Sequence, residues 1–135
     1  MSIRIVRLGS TRQPGEGLRL GTVRRPPRGV SKADYARLDY FDVWFPNLAP
    51  SAELLKQFRV MLETHDEVLW PAVKKRFVAE MAEPAASRDL DLLAALSHRT
   101  DVSVGCYCDS EHHCHRSILR ELLLARGAAV VPSDV

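Results

Sequence analysis

The chain reads as a single three-layer α/β domain, with a mixed, mostly parallel sheet of about four or five strands flanked by helices. Three observations predict this: alternating apolar segments near the start, helical patterns from Pro50 onward, and a closing strand-loop-helix unit after Asp101. With 135 residues, 46% of them hydrophobic, the chain can bury one core and is too short for two ordinary domains.

Ile3-Arg-Ile-Val-Arg-Leu8 alternates apolar and basic residues, the period of a half-buried strand. Turn formers fill Gly9 to Gly17, and Leu18-Arg-Leu-Gly-Thr-Val23 alternates again as a second strand. Arg24-Arg-Pro-Pro-Arg-Gly29 must be a loop, because adjacent prolines remove backbone donors. Ser31 caps a short predicted helix over Lys32 to Leu38, and Tyr40 to Phe45 reads as a third strand stopped by Pro46.

Helices follow. Ser51 is a good N-cap, with Leu54, Leu55, Phe58, Met61 and Leu62 on one face of the next segment. Trp70 to Met81 forms a second helix, carrying Pro71 in its first turn where a missing N–H costs nothing; Pro84 ends it. Ser87 opens a third, with Leu90, Leu93, Ala94 and Leu96 at helical spacing. Val102 to Cys108 is then a buried strand, Asp109 to His113 a polar loop, and Ser117 to Arg126 a helix closed by Gly127. Ala128 to Val131 reads as a fifth, edge strand.

Composition excludes several classes. No run approaches the roughly 20 apolar residues that cross a bilayer, and the first residues lack a secretory signal, so the chain is expected to be cytoplasmic with no membrane partner. Three cysteines packed between positions 106 and 114 do not make a disulfide framework; reduced thiols are expected. Net charge is +2, yet Met1 to Arg37 holds nine Lys/Arg against Glu16 and Asp34, giving +7 there and −5 in the remainder. That asymmetry fits either a solvated basic face or a surface that attracts phosphates or nucleic acid.

The chemistry concentrates in Val102 to Leu119, which holds every cysteine, three of five histidines and Arg116. Cys106 and Cys108, two apart on a predicted strand, share a face with Cα atoms roughly 6.6 Å apart. Two functional readings follow. Cys106, Cys108 and Cys114 with a histidine from His112, His113 or His115, His113 being the chosen donor, supply sulfur and nitrogen ligands that suit zinc or another transition metal. Such an ion is expected at low occupancy and is not required for folding. Alternatively, Cys114 beside His115, Arg116 and a helix start is a thiol of lowered pKa, with Arg24, Arg28, Arg116 and Ser117 holding an anionic small molecule such as a phosphate-bearing nucleotide or metabolite. In that reading Cys114, His115 and Arg116 are the catalytic candidates. A nucleic-acid-binding module built on the basic N-terminal third is the non-catalytic alternative. Cys106 and Cys108 also suit plain core filling, free cysteine being among the most buried residue types. The spacing of His113-Cys114 and Arg120 resembles that of protein tyrosine phosphatases, but the intervening residues lack glycine and run straight into an apolar helical face.

Cys106-Tyr-Cys108 followed by Cys114-His-Arg-Ser-Ile-Leu119 resembles the strand-loop-helix signature of the domain of unknown function 488 family, which includes the YeaO-like proteins. Pro50 to Phe58 and Arg76 to Glu80 resemble further blocks of those relatives. Their loop reads Asp-Arg-Leu-Trp-Pro-Arg-Gly. Arg24, Pro27, Arg28 and Gly29 match it, whereas Val23, Arg25 and Pro26 replace the aspartate, leucine and tryptophan. The resemblance implies a compact α/β fold with a shared pocket and assigns no reaction.

Overall fold

A computed structural model describes residues 1–133. Four strands, β1 (Ile3–Arg7), β2 (Leu18–Gly21), β3 (Val43–Trp44) and β4 (Val102–Cys106), form one sheet in the order β1-β4-β2-β3. Every pairing in it is parallel, so the expected mixed character is absent among the described residues. Parallel order places all four carboxyl ends on one edge. β4 lies between β1 and β2 and is buried along its whole length, as an interior parallel strand must be. The expected fifth strand shrinks to one isolated bridge between Ile3 and Val130.

Four helices, α1 (Ala52–Thr64), α2 (Trp70–Met81), α3 (Pro84–Leu96) and α4 (His115–Ala125), share one core. Leu54, Phe58, Phe77, Leu90 and Leu119 meet Ile3, Leu20, Val102 and Val104 there. These strand residues alternate along β1, β2 and β4, so they occupy one sheet face. The opposite face, with Arg4, Arg19 and Ser103, is covered by irregular chain instead. Arg19 lies fully buried and donates to the carbonyls of Ser10 and Asp39, one from each covering segment. The third layer is thus loop and turn.

Helix boundaries follow their caps. The Ser51 hydroxyl accepts from the Leu54 N–H at 3.2 Å, starting α1 where the capping residue predicts. α2 runs over the expected span. α3 begins at Pro84, three residues before the expected start, because proline in a first helical turn loses no hydrogen bond; α2 has already ended at Met81. α4 starts at His115 with Cys114 as its N-cap, two residues before the expected start at Ser117.

Two elements contract. The helix expected over Lys32 to Leu38 is a single 3-10 turn, Lys32–Asp34, followed by turns. The strand expected over Tyr40 to Phe45 is only Val43–Trp44, because Phe41 packs over Gly21, where a Cβ would collide with its ring.

Candidate functional site

β4 ends at Cys106, and the chain crosses a polar loop before re-entering as α4 at His115. This return brings Cys106, Cys108 and Cys114 together with His115 at the carboxyl edge of the sheet, where open parallel sheets bind ligands. All three cysteines are free, and the Sγ atoms of Cys106 and Cys108 lie 3.7 Å apart. One ligand atom each from Cys106, Cys114 and His115 lies within 4.8 Å of the other two.

His115 is fixed from both sides. Its Nε2 is 2.7 Å from the Thr22 carbonyl and its Nδ1 3.8 Å from Cys114 Sγ. A carbonyl only accepts, so Nε2 carries a proton and donates it, and Nδ1 faces the thiol. Phe58 and Phe77 wall the ring, with centroids 6.4 and 5.5 Å away. Arg116 is buried as well. Its guanidinium donates to the carbonyls of Val6 and Cys108, each at 2.8 Å, and directs Nε–H at Cys114 Sγ from 3.4 Å. It ties the end of β1 to the cysteine loop and places a fixed positive charge behind the sulfur.

These contacts polarise the group. Hydrogen bonds from Cys106 and Cys108 hold the Cys114 thiol well below its ordinary range; burial opposes them and the His115 charge assists. Burial pushes His115 down, but the Cys114 negative charge and its hydrogen bonds prevail, so its pKa rises. The bond to Cys108 lowers Cys106, while bonding to Cys114, burial and the Cys114 charge outweigh it and push Cys106 up to about 12. Cys108 is pushed up too, first by its bond to Cys106 and then by Cys114 and burial. These shifts favour the thiolate on Cys114, at the N-terminus of α4, over Cys106 and Cys108.

The sulfurs face a cavity of about 190 Å³. Leu55, Phe58, Arg59 and Leu62 of α1 wall it, at the i, i+3, i+4 and i+7 spacing of one helix face. Tyr107 and Arg25 border it on the loop side.

Other candidates lie apart from the thiols or are engaged elsewhere. Arg24 borders the cavity, but its guanidinium donates to the carbonyls of Pro46, Ala49 and Pro50. Arg28 is exposed and lines a neighbouring cavity. The Ser117 hydroxyl donates to the Cys114 carbonyl at 2.8 Å, so it closes the first turn of α4. His113 reaches the cavity wall with its ring on Trp70, centroids 4.7 Å apart, and its Nδ1 3.8 Å from Glu67 Oε1; His115, the expected partner of Cys114, also takes the place among the sulfurs that the metal reading assigns to His113. Arg120 binds both Glu111 oxygens and points away from Cys114, against a phosphatase-type loop. Arg59 and Tyr107 escaped the sequence reading. Arg59 had one usable signal, its place four residues after Leu55 and three before Leu62.

Fold and site define a parallel α/β protein with a cysteine–histidine–arginine cluster at the carboxyl edge of its sheet. No helix of the described residues is long and apolar enough to cross a membrane. The family model described as the active DUF488-N3 subclade matches residues 3–127, and the chain belongs to the DUF488 family. No curated protein and no solved structure matches it.

Proposed function

We propose that this protein is a thiol-dependent enzyme acting on an anionic substrate. Cys114 is the nucleophile, His115 its proton partner and Arg116 the fixed counter-charge. One observation carries the reading: His115 Nδ1 faces Cys114 Sγ while its Nε2 is held on the Thr22 carbonyl. This is the arrangement of an activated nucleophile, a thiol beside a base that a third group orients. The apolar cavity beyond the sulfur gives a substrate access, and the description of the matched subclade as active supports a chemical role.

Alkylation of the full chain with iodoacetamide from pH 5 to 9.5, read by mass spectrometry, tests this. Cys114 should be labelled rapidly and selectively at pH 6, and Cys114→Ser should lose that labelling. Reaction of Cys114 only above about pH 8, as for an ordinary thiol, sinks the reading.

A second reading has its own observation. Cys106, Cys114 and His115 converge within 4.8 Å, and Cys108 adds a third sulfur, a donor set suited to zinc in which the Thr22 carbonyl orients the imidazole. Elemental analysis of purified protein should find well under one equivalent of zinc or any other transition metal. A stoichiometric ion, with loss of structure on chelation, would replace the nucleophile by a metal site.

A further inference from the structure

We infer that the substrate is a nucleoside diphosphate whose phosphates sit on Arg25, Arg28 and Arg59 and whose base occupies the thiol cavity. This deepens the proposed function and rests on it for the role of Cys114. It begins from a second cavity of about 310 Å³, lined by Arg25, Arg28, Arg59, Tyr40 and Tyr107 with Pro26 and Pro27. Arg25, Arg59 and Tyr107 border both cavities, so the two are neighbouring chambers with different chemistry.

The outer chamber is cationic. Arg12, Arg19, Arg24, Arg116 and Arg120 are all engaged with carboxylates or carbonyls. Among the described residues, the side chains of Arg25, Arg28 and Arg59 make no hydrogen bond or ion pair, and all three line one chamber. Three guanidiniums lining one chamber concentrate positive charge there, and their donor geometry suits phosphate oxygens. Pro26 and Pro27 stiffen the loop that presents two of the three.

The inner chamber suits an uncharged ring. Leu55, Phe58 and Leu62 wall it, the Arg24 donors at its edge are occupied by carbonyls, and Arg25 and Arg59 stand where it meets the outer chamber, so a phosphoryl group finds its donors at that mouth and not against the apolar wall. The phosphate is therefore the handle and not the group attacked. Tyr107 separates the chambers. Its hydroxyl donates to the Arg25 carbonyl at 3.0 Å, which fixes the ring, and its partly exposed face offers a planar base a stacking platform.

Calorimetric titration of the full chain with ADP, inorganic pyrophosphate, adenosine and a single-stranded oligonucleotide tests the inference. Pyrophosphate should bind, and ADP roughly tenfold more tightly, the increment expected from stacking one base. Arg25→Ala and Arg59→Ala, which remove exposed side chains without bonds in the fold, should each weaken both ligands roughly tenfold. The inference is overturned if neither ADP nor pyrophosphate binds, if the arginine variants bind as tightly as wild type, or if the oligonucleotide binds more tightly than ADP with a steep salt dependence. The last outcome would mark a nucleic-acid surface. Failure here leaves the low-pH alkylation of Cys114 in place, whereas failure of the thiol reading removes that alkylation and leaves ADP binding intact.

Discussion

The Glu16–Arg19–Ser103 cluster under the loop layer and the Cys106–Cys114–His115 cluster at the strand ends are both buried and both ionisable, and they differ in what their atoms are left to do. Glu16 Oε1 accepts from Arg19 Nε at 2.6 Å and from the Ser103 hydroxyl at 3.0 Å, while Oε2 accepts the Gln13 N–H at 2.9 Å. Arg19 also donates to two loop carbonyls, and only its second terminal nitrogen lacks a partner among the described residues. This ion pair fastens the irregular layer to the sheet. The thiols, by contrast, make long sulfur contacts and keep one side on a cavity. Buried charge that is saturated by its neighbours holds a fold together; buried charge left facing a cavity is available to a ligand.

The contrast is broken most forcefully at Glu16. Glu16→Ala leaves the buried Arg19 guanidinium without its carboxylate, a change that costs about 3–5 kcal/mol. Urea denaturation should show that loss, with Cys114 alkylation at pH 6 unchanged in the folded protein. A loss below about 1 kcal/mol would mean that the pair is ornamental.

Acid tests the same cluster by another route. Burial raises the Glu16 carboxyl, but bonds from Arg19, the Gln13 N–H and Ser103 outweigh it, so its folded pKa is lowered. Asp42, held by Arg12 and the Arg19 N–H against its own burial, shifts the same way. A lowered carboxyl contributes stability that is present above its unfolded pKa of about 4.3 for Glu or about 3.9 for Asp, and that is lost as pH falls through the folded value. Unfolding free energy should therefore drop from pH 6 to pH 3. Glu16→Gln should flatten part of that drop; an unchanged slope would place the acid sensitivity elsewhere.

At the open cluster the expected effect is on reactivity. His115→Gln removes the charge that assists the Cys114 thiolate, so alkylation at pH 6 should fall at least about tenfold and its profile move toward the ordinary thiol range near pH 8.5. Retention of the wild-type profile would leave the cysteines and Arg116 as sufficient cause, and His115 as packing for Phe58 and Phe77.

Sequence pattern reached the periodic elements and stopped where a distant partner decides. α2 was legible end to end, because its stripe and its proline are local signals. The turn after Lys32 was not, since the chain there bends to offer the Asp39 carbonyl to Arg19, twenty positions away. Likewise the Glu16–Arg19 pair looked like scattered surface charge; its burial depends on Ser103, far along the chain. At the site, the cysteine, histidine and arginine run was plain because all of it lies in one loop. Which histidine turns inward was not, because a carbonyl at Thr22 selects His115 over His113. Arg24 and Arg28 look alike in the sequence, and only the carbonyls of Pro46, Ala49 and Pro50 engage one and leave the other exposed.

Ser117 gives the smallest expected effect and the sharpest decision between two anion positions. It stands beside the thiolate in the first turn of α4, where an anion at a helix start would draw on its hydroxyl. Its hydroxyl instead donates to the Cys114 carbonyl at 2.8 Å, and its own N–H donates to that carbonyl at 3.0 Å. Removing the hydroxyl leaves the carbonyl one donor, a loss of about 0.5–1 kcal/mol, and alanine recovers about 0.5 kcal/mol through its higher helix propensity. Ser117→Ala should therefore change stability by less than about 0.5 kcal/mol and leave pyrophosphate affinity unaltered. A tenfold loss of pyrophosphate affinity in this variant would instead seat the anion on the N-terminus of α4, against Cys114 itself. The phosphate would then be the group attacked, and the arginines at the mouth would serve only to attract it.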